Sequence, residues 1–192
     1  QMAWLAPAIS VLAFVLIVGF RLFESKLGSA ISILGAISGL SIVGYVVNQF
    51  DKTGAGEFSN EWFTVGSTVI TVGITVDQLS LVMLAIVTFV ALLVQIYSIS
   101  YMKDEPRVGW YFAVHSLFVA SMLILVLANN LLILYFAWEL VGLCSYLLIG
   151  FWYEKRAAAE AAKKAFVTTR IGDVGLLIGI ILLFKATGTF QI

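Results

Sequence analysis

The segment YFAWELVGLCSY, residues 135–146, places a carboxylate in the middle of an apolar run. That run, residues 131–152, is long enough to cross a bilayer as a helix. At ~1.5 Å per residue, Glu139 lies ~12 Å from the nearer end of the run and therefore close to the membrane midplane. A charge at that depth costs roughly 2.5 to 3.5 kcal/mol, so such residues face a bundle interior and mark transport or proton-relay sites. Glu139 is thus the first candidate functional residue.

The composition of the chain is that of an integral membrane protein. Hydrophobic residues make up 61% and charged residues 11% of the 192 residues, whereas soluble domains average roughly 45 to 50% and 25%. Eleven basic and eleven acidic residues leave no net charge, so we expect the lipid bilayer, and no nucleic acid, as a partner. The single cysteine, Cys144, excludes an internal disulfide and is interpreted as a small buried apolar residue.

Six apolar runs, each near the ~20 residues that a helical crossing needs, predict an all-α integral membrane fold. The opening residues lack the charged region of a cleaved signal peptide, so the first run is predicted to be a spanning helix. We expect helices 1 and 2 in residues 1–48, an external loop in residues 49–78, and helices 3 to 6 in residues 79–192. The runs are residues 3–20, 28–48, 79–101, 109–128, 131–152 and 162–184.

The positive charges in the connections predict the orientation of the chain in the membrane. The first, third and fifth connections share one side and carry eight Lys or Arg residues, among them Arg156, Lys163 and Lys164 in the fifth. The opposite side carries Lys52 and Lys185. By the positive-inside rule, the odd-numbered connections are cytoplasmic and the N-terminus is outside.

The second connection is the only long one, and its later half differs from the rest of the chain. Residues 68–76, TVITVGITV, are rich in β-branched residues, which predicts a short external strand or hairpin that lies over the helix ends. Asp77, directly before the third run, is a candidate helix N-cap.

The sixth run carries a second group of ionisable residues. Arg170 and Asp173 are three residues apart and share a helical face, and Lys163 lies two turns earlier on nearly the same line. Arg170 lies ~10 Å and Asp173 ~15 Å into the membrane from the Lys163 end, a depth comparable to that of Glu139. We therefore expect the three midplane groups to meet as a proton relay. A buried Arg–Asp pair that only holds two helices together is the alternative.

The only histidine, His115, lies about two turns inside the fourth run. It is a candidate proton-relay residue, and the equal alternative is a hydrogen bond to a neighbouring helix. One histidine and one cysteine on different helices give no spacing for zinc, haem or iron–sulfur ligation. We expect no cofactor in this chain.

Two segments, residues 138–152 and 164–175, closely resemble subunit L (chain 5) of proton-pumping NADH:quinone oxidoreductase. Residues 76–80 and 97–102 are similar to that family as well. The resemblance implies an antiporter-like subunit in the membrane arm of respiratory complex I, with Glu139 as a key residue of the proton channel and with Arg170 and Asp173 in the same polar network.

The same resemblance implies how the chain works within a complex. The activity is that of a translocase subunit, which moves protons as electrons pass from NADH to quinone. NADH, FMN, iron–sulfur clusters and quinone belong to partner subunits, no redox centre is expected in this chain, and its partners are the other membrane-arm subunits. Residues 79–192 become the start of an antiporter-like proton-translocation unit. The implied location is the cell inner (plasma) membrane, in preference to an organellar energy-transducing membrane.

Two departures from the family and three alternatives accompany this interpretation. Many relatives carry a histidine where this chain has Gln95, and the family continues beyond Ile192 with a broken helix whose lysine partners the glutamate. The chain is therefore interpreted as the N-terminal part of such a subunit. The alternatives are a subunit of a multi-subunit Na⁺/H⁺ antiporter, the related photosynthetic NDH subunit that serves plastoquinone, and a structural scaffold whose charges do not titrate.

Overall fold

The described part of the chain consists of six helices and one β-hairpin. In the computed structural model this part comprises residues 2–65 and 68–192. The two strands pair antiparallel within the second connection, so the predicted all-α fold with one β-rich loop is confirmed. The elements are α1 (Leu5–Gly19), α2 (Lys26–Thr53), β1 (Gly56–Val65), β2 (Thr68–Val76), α3 (Gln78–Tyr101), α4 (Val108–Leu127), α5 (Leu131–Ile149) and α6 (Arg156–Thr187).

Five of these helices, α2 to α6, are long and apolar enough to cross a membrane. The first helix, α1, is apolar but has 15 residues, which at ~1.5 Å per residue span ~22 Å of a hydrocarbon core of about 30 Å. It lacks the first two residues and the last residue of the predicted run, and the chain then turns at Arg21, whose φ of 52° lies in the left-handed region. Length and composition thus support five of the six predicted spans.

Helix α4 lies at the centre of the helix packing. It contacts α1, α2, α3 and α5, and small buried residues such as Ala113, Ser116 and Ala120 let these neighbours approach. At Gly109 a Cβ atom would overlap the carbonyl oxygen of Leu22, so only glycine fits beneath the α1–α2 connection. In contrast, α6 packs mainly against α5. The α5–α6 pair therefore forms one margin of the bundle.

The hairpin is held against the connection between α4 and α5. The Asn129 side chain donates to the Glu57 carboxylate at 3.1 Å, and the Asn130 side chain donates to the Thr71 carbonyl at 2.9 Å. The predicted position over the helix ends is confirmed. The strand or hairpin predicted for residues 68–76 is the single strand β2, which pairs with β1, a strand that the sequence did not predict. The hairpin residues 66 and 67 lie outside the described residues.

Asp77 joins the hairpin to α3 and caps that helix as predicted. Its carboxylate accepts hydrogen bonds from the backbone N–H and the hydroxyl of Ser80, at 2.7 and 2.8 Å. These bonds hold the pKa of the Asp77 carboxyl below its usual range. The cap therefore carries a charge that complements the N-terminal end of α3.

The fifth connection is shorter than predicted because α6 begins at Arg156. Residues 156–165, RAAAEAAKKA, are almost all strong helix formers. Arg156 Nε also pairs with Glu160 Oε1, one turn later, at 2.8 Å. Lys163 and Lys164, which the apolar pattern assigns to the connection, consequently lie on the helix. At the other side of the connection α5 ends at Ile149 and not at residue 152.

Candidate functional site

Glu139, Arg170 and Asp173 form one ionic cluster between α5 and α6. The Arg170 guanidinium pairs with the Glu139 carboxylate, and its Nη2 also donates to the Glu139 backbone carbonyl at 3.2 Å. Arg170 Nε lies 3.8 Å from Asp173 Oδ2. The exposed fractions of the Arg170, Glu139 and Asp173 side chains are 31%, 20% and 6%. The predicted meeting of the three midplane groups is thus present in the structure.

The two links of Arg170 differ in strength. The separation of 3.8 Å from Asp173 is that of an ion pair and too long for a hydrogen bond. Among the described residues, the buried Nε of Arg170 has no hydrogen-bond acceptor. The guanidinium therefore binds mainly to Glu139 on the neighbouring helix and interacts only weakly with Asp173 on its own helix.

Asp173 has a second partner, Trp138. The indole Nε1 of Trp138 donates to Asp173 Oδ1 at 2.8 Å. Sequence reasoning did not assign this role to Trp138, although the residue directly precedes Glu139. A signal was present in the sequence, because an indole N–H is a donor only and needs an acceptor within an apolar membrane segment. Two α5 side chains in succession thus bind two α6 side chains.

Gly142 and Phe166 shape the space around the guanidinium, and sequence reasoning missed both. A Cβ atom at Gly142 would lie 3.3 Å from Arg170 Nη2, so the glycine, three residues after Glu139, makes room for the cation. On the α6 side the Arg170 guanidinium carbon lies 4.6 Å from the centre of the Phe166 ring. Such a cation–π contact partly replaces the lost hydration of the charge.

The local structure of α5 fixes the depth of Glu139. The helix begins at Leu131, because the Asn130 side chain accepts a hydrogen bond from the Ile133 backbone N–H at 2.8 Å and caps it. Glu139 therefore lies eight residues into the helix, or ~12 Å along its axis at ~1.5 Å per residue. The carboxylate is thus placed near the middle of the apolar segment, as the sequence predicts.

Lys163 lies on α6 seven residues before Arg170, as predicted, but among the described residues it forms no ion pair with the cluster. Its side chain lines a cavity of about 700 Å³ between the first connection, the start of α4 and the two helices α5 and α6. Glu24 and Arg107 line the same cavity. Arg107 pairs with Glu154 at 2.8 Å. The Glu154 backbone N–H and the Arg107 charge lower the pKa of the Glu154 carboxyl.

His115 also lies apart from the cluster, buried between α3 and α4. Its Nδ1 is 3.2 Å from Nε2 of Gln95 on α3. The Gln95 Oε1 atom is buried and has no hydrogen-bond partner among the described residues. The alternative of a hydrogen bond to a neighbouring helix is therefore realised in the geometry.

Two family models match the chain, and together they cover part of the hairpin, α3 and the ionic cluster. Residues 62–112 match the model described as "NADH-Ubiquinone oxidoreductase (complex I), chain 5 N-terminus". Residues 128–192, which contain the whole cluster, match "NADH:quinone oxidoreductase/Mrp antiporter, TM". A curated relative, the NAD(P)H-quinone oxidoreductase chain 5 of a Picosynechococcus species, is 44% identical over 200 residues, all of this chain and 30% of the relative.

Over its whole length the chain is similar to chain 5 (subunit L) proteins. The F(420)H(2) dehydrogenase subunit L of Methanosarcina mazei is a second relative, 45% identical over 100% of this chain and 29% of its own length. This chain thus spans about 30% of the length of these two curated relatives. A solved archaeal respiratory complex, the membrane-bound sulfane sulfur reductase, contains a chain with the same fold. The TM-score is 0.80 at 18% sequence identity, and the match covers 99% of this chain and 38% of that chain.

Proposed function

We propose that this chain is part of the membrane arm of an NADH:quinone oxidoreductase and translocates protons through the Glu139–Arg170–Asp173 cluster. The observation that carries the proposal is the placement of one cation between two carboxylates at mid-depth of α5 and α6. The similarity to chain 5 proteins supports the same activity. The NADH, FMN, iron–sulfur and quinone sites belong to partner subunits in this proposal.

In the proposed relay, Arg170 controls the charge on Glu139. While the guanidinium pairs with Glu139, the carboxylate is stable without a proton. When the guanidinium moves toward Asp173, Glu139 is left in surroundings of low dielectric and is stabilised by taking up a proton. Return of the cation releases that proton. Lys163, at the cavity on the side predicted to be cytoplasmic, and His115, beside Gln95, are proposed as further members of the path.

The membrane location and orientation of the chain complete the proposal. Five helices that are long and apolar enough to cross a membrane, together with the similarity to chain 5 proteins, support a membrane location. We propose the cell inner (plasma) membrane, with the N-terminus outside and with Arg107 and Lys163 at the cytoplasmic end of their helices. Other membrane-arm subunits and the bilayer are the proposed partners.

The test is Glu139→Gln in the complete complex. The amide keeps the volume and the hydrogen-bonding capacity but removes the charge and the titratable proton. We expect normal assembly and fewer protons translocated per electron pair in sealed vesicles, scored against the amount of assembled complex. The matched control is Glu160→Gln on the exposed first turns of α6, which should keep the unmodified ratio. An unmodified ratio for Glu139→Gln would show that the cluster is a scaffold.

A second candidate function is Na⁺/H⁺ exchange. The observation that favours it is that the family model covering residues 128–192 includes antiporters of the Mrp type in its description. The two functions can be distinguished with the complex in sealed vesicles, under an imposed pH gradient and without NADH. Collapse of the gradient on addition of Na⁺, abolished by Glu139→Gln, supports exchange, whereas a gradient that responds only to electron transfer supports the first proposal.

A further inference from the structure

A groove at the end of α3 lies outside the ionic cluster and carries positive charge. It has a volume of about 490 Å³ and is formed by the start of α2, the last turns of α3 and the start of α4. We call it the Lys26–Lys103 groove. Its lining comprises Lys26, Ser29, Ile96, Ile99, Ser100, Lys103, Val108 and Phe112.

The two lysines of the groove are available to a ligand. Both side chains are exposed, and within the described parts of the chain neither forms a salt bridge or a side-chain hydrogen bond. The acidic residue Glu105, two positions after Lys103, is turned away and accepts a hydrogen bond from Trp152 Nε1 at 2.8 Å. The positive charge at the mouth of the groove is therefore not neutralised by that neighbouring carboxylate.

The wall of the groove is apolar in the direction of the membrane interior. Ile96 and Ile99 are each about half exposed and line the groove, and the buried Phe112 ring closes its base. Ile96 lies five residues before the end of α3 at Tyr101, or ~7 Å along the axis at ~1.5 Å per residue, and Lys103 follows in the connection to α4. The groove thus has cations at one end and a strip of hydrocarbon-contacting side chains below them.

We propose that the Lys26–Lys103 groove binds an anionic phospholipid, whose phosphate lies between the two ammonium groups and whose acyl chain lies along Ile96 and Ile99. The charges select against a zwitterionic headgroup, because its own cation would compete with the lysines. The groove opens at the end of the helices that carries the excess of loop Lys and Arg, and this is the leaflet in which anionic lipids attract basic residues. The proposal does not depend on proton translocation.

Lipid binding to the purified full chain tests the proposal. Native mass spectrometry with phosphatidylglycerol and phosphatidylcholine of identical acyl chains should give tighter binding of phosphatidylglycerol. The double variant Lys26→Gln/Lys103→Gln should weaken phosphatidylglycerol binding about thirtyfold, because each cation contributes ~1 kcal/mol at a membrane surface. Phosphatidylcholine binding should stay unchanged. Equal binding of the two lipids by the unmodified chain would overturn the proposal.

A control variant separates the groove from net charge. Arg156→Gln/Lys164→Gln removes the same two charges at the same end of the molecule, on the exposed first turns of α6, and should keep the lipid preference. An equal loss in this control would show that only total charge matters. Soluble glycerol phosphate at millimolar concentration should not displace the lipid, since the apolar strip contributes to binding. Displacement by glycerol phosphate would make the occupant a free phosphate and refute the lipid assignment.

Discussion

Replacement of Arg170 by alanine tests the ionic cluster most directly. The change removes the cation from Glu139 and from Asp173 at once and leaves both carboxylates between α5 and α6. It also removes the hydrogen bond of 3.2 Å to the Glu139 backbone carbonyl. We therefore expect Arg170→Ala to lower the stability of the protein, whatever its effect on proton transport.

The size of this loss follows from the burial of the three side chains. Removal of one partner from a buried pair costs about 3 to 5 kcal/mol, because the other charge is left without compensation. The lower end applies here, since the side chains of Arg170 and Glu139 are only partly buried by the chain. We expect about 3 kcal/mol for Arg170→Ala. Arg170→Lys keeps the charge but loses the planar fork and one charge-assisted hydrogen bond, so we expect about 1.5 kcal/mol.

A double-mutant cycle tests whether the loss of stability comes from the Arg170–Glu139 pair. The free energies of unfolding of Arg170→Ala, Glu139→Gln and the double variant are measured by reversible unfolding in mixed detergent micelles. In the Glu139→Gln background no charged carboxylate remains at that position, so Arg170→Ala should cost about 1 to 2 kcal/mol less than in the unmodified chain. The amount of assembled complex in membranes should follow the same order.

Additivity would refute this reasoning. If Arg170→Ala costs the same in both backgrounds to within about 0.5 kcal/mol, the guanidinium and the Glu139 carboxylate do not stabilise each other. The matched control is Arg156→Ala, which breaks the exposed pair with Glu160 one turn later. That change should cost at most about 0.5 kcal/mol, because exposed helix pairs contribute little.

Two further predictions concern Trp138 and the orientation of the chain. Trp138→Phe removes the donor to Asp173 Oδ1 and should cost about 1 to 2 kcal/mol in the same unfolding assay, whereas an unchanged value would mean that the bond contributes nothing. Single cysteines at Ser59 and Glu154, in a Cys144→Ser background, should react with impermeant reagents from opposite sides of sealed vesicles. Reaction of both from the same side would disprove the predicted topology.

The helices and the core of the site were predictable because both depend on local sequence. Apolar runs of about 20 residues determine the spans, and the spacing of Arg170 and Asp173 places them on one face whatever surrounds them. The chemistry of an unpaired midplane charge then requires that Glu139 meet them. In this way burial cost alone predicts a contact between residues that are 31 positions apart.

Other features depended on packing that periodicity does not encode. Lys163 shares the line of Arg170 in a helical projection, but it lies seven residues, or ~10 Å, away along α6 and lines a separate cavity near the end of α5. The role of Gly142 depends on where a neighbouring guanidinium comes to lie. The strand β1 was missed because residues 56–61 are mostly polar, and its partner β2 determines its structure.

The two links of Arg170 respond differently to movement between α5 and α6. The pairs Glu139–Arg170 and Trp138–Asp173 both join the helices, so separation or sliding of α6 breaks the two together. The Arg170–Asp173 pair lies within α6 and survives such a movement, because its members are three residues apart on one helix. The cluster therefore has a second pairing that satisfies Arg170 and Asp173 and leaves Glu139 without a cation. A helix displacement that exchanges these pairings is the kind of two-state element that a proton relay requires, since it changes the charge partner of one carboxylate while every other ion stays compensated.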